Sequence, residues 1–186
     1  MRELFDLWLE TKSWDKAGVI LHHKRQKSES VVLQFLEILN GLMRGGSISI
    51  KATDGNHDTV AIQNYNFAMT HVSLSGIMVG TGDTAVDIED YALEAVIAHG
   101  TGAGELIYNV IVIPTTVTIS DPDAYFEPYR NFSNNSGGSI TVKETGMYVK
   151  AGAPDDYYMI VRDVPTEVVV PDGGGCYVKY TLKVSE

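Results

Sequence analysis

Cysteine is almost missing from this chain of 186 residues. Cys176 stands alone, which excludes a disulfide within the chain and leaves the fold to its apolar core and any partner subunits. Long apolar runs are missing too. None approaches the roughly 20 residues that a helix needs to cross a bilayer, and no basic segment leads into an apolar stretch with a small-residue cleavage site. The expectation is a soluble chain with no membrane contact and no conventional export signal. Positive charge is scarce, with 14 Lys and Arg against 24 Asp and Glu, a formal net charge of −10. The imbalance is local: residues 1–44 carry seven basic and six acidic residues (+1), residues 45–186 seven and eighteen (−11). So acidic a region argues against sequence-independent binding to nucleic acid, whose phosphates reward basic grooves.

Catalytic signatures are missing as well. Gly80-Thr81-Gly82-Asp83-Thr84 lacks the Lys-Ser/Thr ending of a nucleotide loop and reads as a sharp exit from a strand. No Gly-x-Ser-x-Gly elbow occurs. His22, His23, His57, His71 and His99 are scattered without zinc-ligand spacing, and Cys176 has no activating motif beside it. Asp83, Asp87, Glu89 and Asp90 form the densest acidic cluster, yet their spacing is not that of an EF-hand, and helix capping and solvation account for them. Asp121-Pro122-Asp123 and Asp155-Asp156 read as turns. The expectation is a protein that is not an enzyme and has no catalytic residue, cofactor or metal.

What is present is β-grammar. Phe132 to Glu144 spells a strand, a turn and a second strand: Asn134, Asn135, Gly137 and Gly138 tolerate reversal, after which Ile140 and Val142 alternate with polar neighbours, predicting a β-hairpin. Asn131 and Asn134 match a glycosylation pattern that, without an export signal, yields to the turn reading. Further short strands are expected from residue 47 onward, separated by turn chemistry at Asp54-Gly55-Asn56, Gly80 to Gly82, Pro122, Pro154-Asp155 and Asp172 to Gly175. The last, residues 176–184, puts Val178, Tyr180, Leu182 and Val184 on one face and Lys179, Thr181 and Lys183 on the other. Residues 87–98 fit either a short helix or an irregular crossover. The fold expected is mainly β, an antiparallel sandwich or jelly roll spanning residues 47–186, one ordinary domain in size.

Residues 1–46 read as a helical docking arm. Leu4, Leu7 and Trp8 fall at helical spacing; Val32, Phe35 or Leu36, Leu39 and Met43 mark a second stripe, with Ser28 or Ser30 as N-cap and Gly45-Gly46 as the end. His22 to Lys27 forms a short basic connector between them. The residues assigned to partner binding are Leu4, Trp8, Val32, Phe35, Leu36, Leu39 and Met43, laid into a groove of another subunit. The ten tyrosines, among them Tyr125, Tyr129, Tyr157 and Tyr158, serve core packing or line a sugar-binding or subunit surface.

Five stretches taken together carry a resemblance: Val79-Gly80-Thr81-Gly82-Asp83-Thr84-Ala85-Val86, Asp90-Tyr91-Ala92-Leu93, residues 130–149, Ile160-Val161-Arg162-Asp163-Val164, and residues 173–184. Over residues 47–184 this pattern of strands and turns resembles small structural proteins of tailed bacteriophages and prophages. The resemblance implies a virion component, assembled in the host cytoplasm, on the capsid surface as a decoration protein or at the tail or neck. Other virion proteins would be its partners, and symmetric homo-oligomers are expected. The alternative is a carbohydrate- or receptor-binding β-module of a phage fibre.

Overall fold

The computed structural model describes residues 5–28, 32–44, 47–61, 74–150 and 157–185. Leu4, Ser30, Gly45-Gly46, His71 and the expected turn at residues 154–156 lie outside them, as do parts of the strands expected at 59–64 and 72–79. The described chain is mainly β, with antiparallel sheets and one short helix. Contacts group it into two compact units: Met1–Ser28, Ala98–Val142 and Pro165–Glu186 form the first, Glu29–Ile97 and Lys143–Val164 the second. The expected division after residue 46 therefore falls inside the second unit.

The first unit corrects the reading of the N-terminus. Residues expected to be helical form β1 (Phe5–Trp14) and β2 (Ile20–Lys27). Leu7 and Leu9 are buried with Thr11 and Ser13, while Trp8, Glu10, Lys12 and Trp14 take the opposite face. This is a period of two, and the helical spacing of Leu4, Leu7 and Trp8 was a coincidence within it. What decides the matter is a long-range partner: all ten residues of β1 pair antiparallel with β14 (Gly175–Ser185), from Phe5 opposite Val184 to Trp14 opposite Gly175. Asp15 makes the β1–β2 turn, its Oδ1 accepting from the Ala17 and Val19 amides at 2.9 Å each. The basic connector is thus the exposed edge strand β2, and Lys24, Arg25 and Lys27 guard that edge against further pairing.

β14 is the spine of this unit. Beyond β1 it pairs with β9 (Tyr129–Ser133) over Gly175–Lys179 and with β8 (Asp123–Phe126) over Leu182–Ser185; β6 (Ile107–Tyr108) adds to β9 and β7 (Thr118–Ser120) to β8. Cys176, Val178 and Tyr180 are buried as the alternation predicts, with Leu9, Tyr108 and Phe132, but beyond Tyr180 it fails: Thr181 is buried and Val184 is 50% exposed. Asp121-Pro122 forms the β7–β8 turn.

The predicted hairpin at 132–144 is overturned in its pairing. Both strands exist, β9 and β10 (Ile140–Val142), but they join different partners: β9 bonds β14 and β6, whereas β10 bonds β13 (Val168–Val170). The reason is Asn134, fully buried at the turn. Its amide donates to the Gly138 carbonyl at 2.8 Å and the Val170 carbonyl at 2.7 Å, and its Oδ1 accepts from the Ser136 amide at 3.0 Å. The turn therefore carries the chain from one sheet to another. Asn134 is committed to the interior, as a turn residue rather than an exposed acceptor.

The second unit holds α1 (Leu33–Arg44), the hairpin of β3 (Ser47–Lys51) and β4 (His57–Ala61), and a sheet ordered β12 (Tyr157–Asp163), β11 (Glu144–Lys150), β5 (Gly76–Gly80). β5 is buried throughout and β11 almost throughout, although β11 opens on Glu144 and Thr145. Asp54 closes the β3–β4 turn, as expected, by accepting from the Asn56 amide at 2.9 Å. The helix expected from the second apolar stripe is present, with Val32 and Ile38 buried. Residues 87–98 are an irregular crossover. It returns to the end of β5, where the Thr81 amide donates to Ala95 and the Ile97 amide to Val79.

Candidate functional site

Asp90 of the acidic cluster and the glycine loop meet at one buried ionic centre of the second unit, organised by two residues that the sequence reading did not single out. Glu144 starts β11 opposite Gly80, and Arg162 lies near the end of β12 opposite Gly146. The Glu144 side chain is fully buried and that of Arg162 is 2% exposed. Glu144 Oε1 accepts from the Gly82 amide at 3.1 Å and the Ala95 amide at 2.7 Å. Its Oε2 accepts from the Glu94 amide at 3.0 Å and from Arg162 Nε and Nη2 at 3.2 and 3.1 Å. Arg162 also donates through Nη1 to Asp90 Oδ2 at 2.8 Å and through Nη2 to the Thr84 hydroxyl and carbonyl at 3.2 and 3.3 Å.

Asp83, Asp90 and Glu94 each have a structural task. Glu94 Oε2 accepts from the Asp83 and Thr84 amides and the Thr84 hydroxyl, which lowers its pKa. Asp90 accepts from the Asp87 amide, and Lys143 Nζ pairs with Asp83 at 3.0 Å. Burial alone would lower the pKa of Arg162, but bonds to Asp90 and Glu144 outweigh it, raising the pKa and holding the guanidinium charged. Gly80 and Gly82 are needed for space. A Cβ on Gly80 would lie 2.4 Å from Glu144 Oε1, and one on Gly82 2.7 Å from the same oxygen. A buried carboxylate that takes two charged bonds and three backbone amides holds a loop in place, and its lone pairs are spent on that task.

The remaining reactive groups are placed as follows. Cys176 is fully buried and burial pushes its thiol up to about 12, so it stays protonated. His99 Nδ1 meets the Tyr108 amide at 3.0 Å, His23 meets Glu10 at 3.0 Å and His22 meets the Thr11 hydroxyl at 2.9 Å. Among the described residues no three His, Cys, Asp or Glu side chains converge as metal ligands, and no helix is long and apolar enough to cross a membrane.

The seven residues assigned to partner binding are divided by the fold. Leu4 lies outside the described residues, and only the backbone of Met43 is described, within α1. Trp8 sits on the outer face of β1 beneath the Arg25 guanidinium, 5.1 Å from the ring centroid. Val32 is fully buried, its amide donating to the Ile160 carbonyl, and Phe35 is half-buried. Leu36 and Leu39 are 54% and 42% exposed, and Leu33, which the stripe omitted, is 40% exposed beside them. One face of α1 thus packs through Gln34 and Ile38, next to Val32 just before it, while a second presents three leucines at i, i+3, i+6 spacing. Next to it a cavity of about 170 Å³ is lined by Leu33, Gln34, Glu37, Lys51, His57 and Glu89. Partial burial raises the pKa of Glu37 there, opposed by His57.

No protein-family model matches the chain, and neither a curated protein nor a solved structure matches it.

Proposed function

We propose that this protein is a non-enzymatic structural subunit of a tailed-bacteriophage virion, on the capsid surface or at the tail or neck, docking on its neighbours through α1. The observation that carries the reading is the leucine face of α1. Three adjacent leucines on a helix whose other side already packs form a stripe that water penalises and a partner's apolar groove rewards. A second apolar row supports self-association. Ile119, Ala124 and Val184 lie side by side across β7, β8 and β14, with Ile119 83% exposed and β7 at the edge of its sheet. The ionic centre supports a structural role, since its charged groups hold a loop. In this reading the first unit is a small jelly-roll-like sandwich, the β10–β13 ribbon set against the sheet built on β14.

Gold-labelled antibody against the chain, applied to purified particles both intact and disrupted, tests the assignment. Labelling of heads or of tails supports it and places the subunit; the absence of label from both preparations overturns it. The docking face is tested by Leu36→Lys with Leu39→Lys. The doubly substituted chain is expected to fold with an unchanged melt and to be lost from particles, and full incorporation would remove α1 from the interface.

A further inference from the structure

The outer face of the first unit's main sheet carries a cavity that the assembly reading does not use. It is about 490 Å³ in volume, within the range of small-molecule sites, and is lined by Glu10, Lys12, Trp14, Ile20, Asn131 and Tyr177. Strand register explains how residues so distant in sequence converge. Lys12 of β1 stands opposite Tyr177 of β14, which stands opposite Asn131 of β9, so the three form one row across neighbouring strands about 4.8 Å apart. Two residues along, Trp14 stands opposite Gly175, and Glu10 opposite Lys179 flanks the row on its other side.

The glycine in that array makes room for the indole. A Cβ on Gly175 would lie 2.8 Å from Trp14 Cζ2, so the ring lies against bare backbone. Tyr177 is steadied by Tyr129, ring centroids 5.6 Å apart at 47°. Trp14 and Tyr177 are each half-buried, leaving aromatic surface beside the cavity. Polar groups adjoin them. Among the described residues the Asn131 amide and the Lys12 ammonium make no side-chain hydrogen bond or ion pair. Glu10 spends one oxygen on Lys179 at 2.9 Å and the other on His23 at 3.0 Å, and retains further lone pairs. Charge at the site balances, Lys12 and Lys179 against Glu10 and Glu127, the last paired with Lys179 at 3.2 Å.

Rigid aromatic surface beside an uncommitted amide and ammonium, and a carboxylate with lone pairs to spare, with no net charge, matches one ligand chemistry closely. A pyranose ring presents an apolar face of C–H bonds and a rim of hydroxyls that both donate and accept. With Glu10 and Lys12 both in its lining, the site offers no excess of either sign to a highly charged ligand. We infer that this face is a binding site for a neutral oligosaccharide, with Trp14 and Tyr177 as the stacking platform and Asn131, Lys12 and Glu10 bonding to its hydroxyls. The sequence reading placed a possible sugar surface on tyrosines. Tyr157 and Tyr158 are buried, and Tyr129 only buttresses Tyr177.

The test is titration of the full chain with maltohexaose, cellohexaose, xylohexaose and chitohexaose, followed by tryptophan fluorescence and calorimetry. A Trp8→Phe background leaves Trp14 as the only indole. At least one neutral hexasaccharide is expected to bind and to change Trp14 emission, with little dependence on salt. Trp14→Ala is expected to weaken binding about tenfold or more, the scale of one lost aromatic contact, and Asn131→Ala several-fold, with melting temperatures showing that both variants fold. Should Trp14→Ala melt early, Asn131→Ala and Lys12→Met, which lie outside the packed core, carry the test alone. No binding of any of the four at millimolar concentration overturns the inference, as does binding that Asn131→Ala and Lys12→Met leave unchanged. Neither outcome bears on gold labelling of particles.

Discussion

The two compact units place their charges in opposite ways. In the first, charged side chains alternate along the outer face of the sheet: Asp6 opposite Lys183, Glu10 opposite Lys179, with Asp123 and Glu127 completing the ladders. Its interior is apolar apart from a few groups such as Asn134 and Arg130, the latter stacked 5.5 Å over Tyr108 with burial lowering its pKa to about 10. In the second, a carboxylate and a guanidinium sit in the interior and hold the chain that follows β5, Glu144 by the amides of Gly82, Glu94 and Ala95 and Arg162 through Thr84 and Asp90. Outer ladders cost little to form and contribute little, about 0.2–1 kcal/mol each. A buried pair is costly to desolvate and costlier to break. The first unit should therefore tolerate loss of any one charge of its outer ladders, and the second should not tolerate loss of either member of its buried pair.

The largest effect expected from breaking this contrast follows Arg162→Ala, which leaves Glu144 buried without its cation and should cost about 3–5 kcal/mol in urea unfolding. Hydrogen exchange should rise first at the amides of Gly82, Glu94 and Ala95, and wild-type protection at those three would show that the centre does not hold the loop. Next is Asn134→Ala, which removes the bonds that carry the chain between sheets. A loss of about 1–3 kcal/mol is expected, with faster exchange near Gly138 and Val170. An effect within error would return this turn to an ordinary surface reversal.

The smallest effect is the pH response of the outer ladder. Burial would raise the Glu10 pKa, but bonds to Lys179 and His23 outweigh it and set the folded value below 4.5. The unfolded chain then binds more protons, so this contribution is complete above 4.5 and is lost as pH falls through the lower folded value. For Lys179 the bonds to Glu10 and Glu127 outweigh burial and raise the pKa above 10.5, so its contribution is lost only as pH rises beyond that. Glu10→Gln should flatten the acid slope, and about 1 M salt should shrink the difference between the two proteins. Identical slopes at low salt would deny the ladder any part in stability.

Much of this was legible in the sequence where the signal was local. The burial of Val178 and Tyr180 in the last strand, the Asp54-Gly55-Asn56 turn and the helix after Val32 each follow from patterns a few residues long. Errors came where two local patterns competed. Residues 5–14 satisfy a helical spacing at Leu4, Leu7 and Trp8 and a strand spacing at Leu7, Leu9, Thr11 and Ser13, and a partner at the far end of the chain decides between them. The stretch at 132–144 has a sound turn between two sound strands, yet no local feature shows that the buried amide of Asn134 reaches Val170.

The sequence by itself determined the β-rich class, most of the turns and the alternation of faces, because backbone sterics and side-chain period act over neighbouring residues. Glu144 and Arg162 were not singled out in the sequence, because nothing near either one shows that the two meet. Only the tertiary structure decided which strand met which, and with it the ionic centre, the leucine face of α1 and the row of Lys12, Tyr177 and Asn131. Register between distant segments follows from burial and hydrogen bonding summed over the whole sheet, which no short window of residues contains.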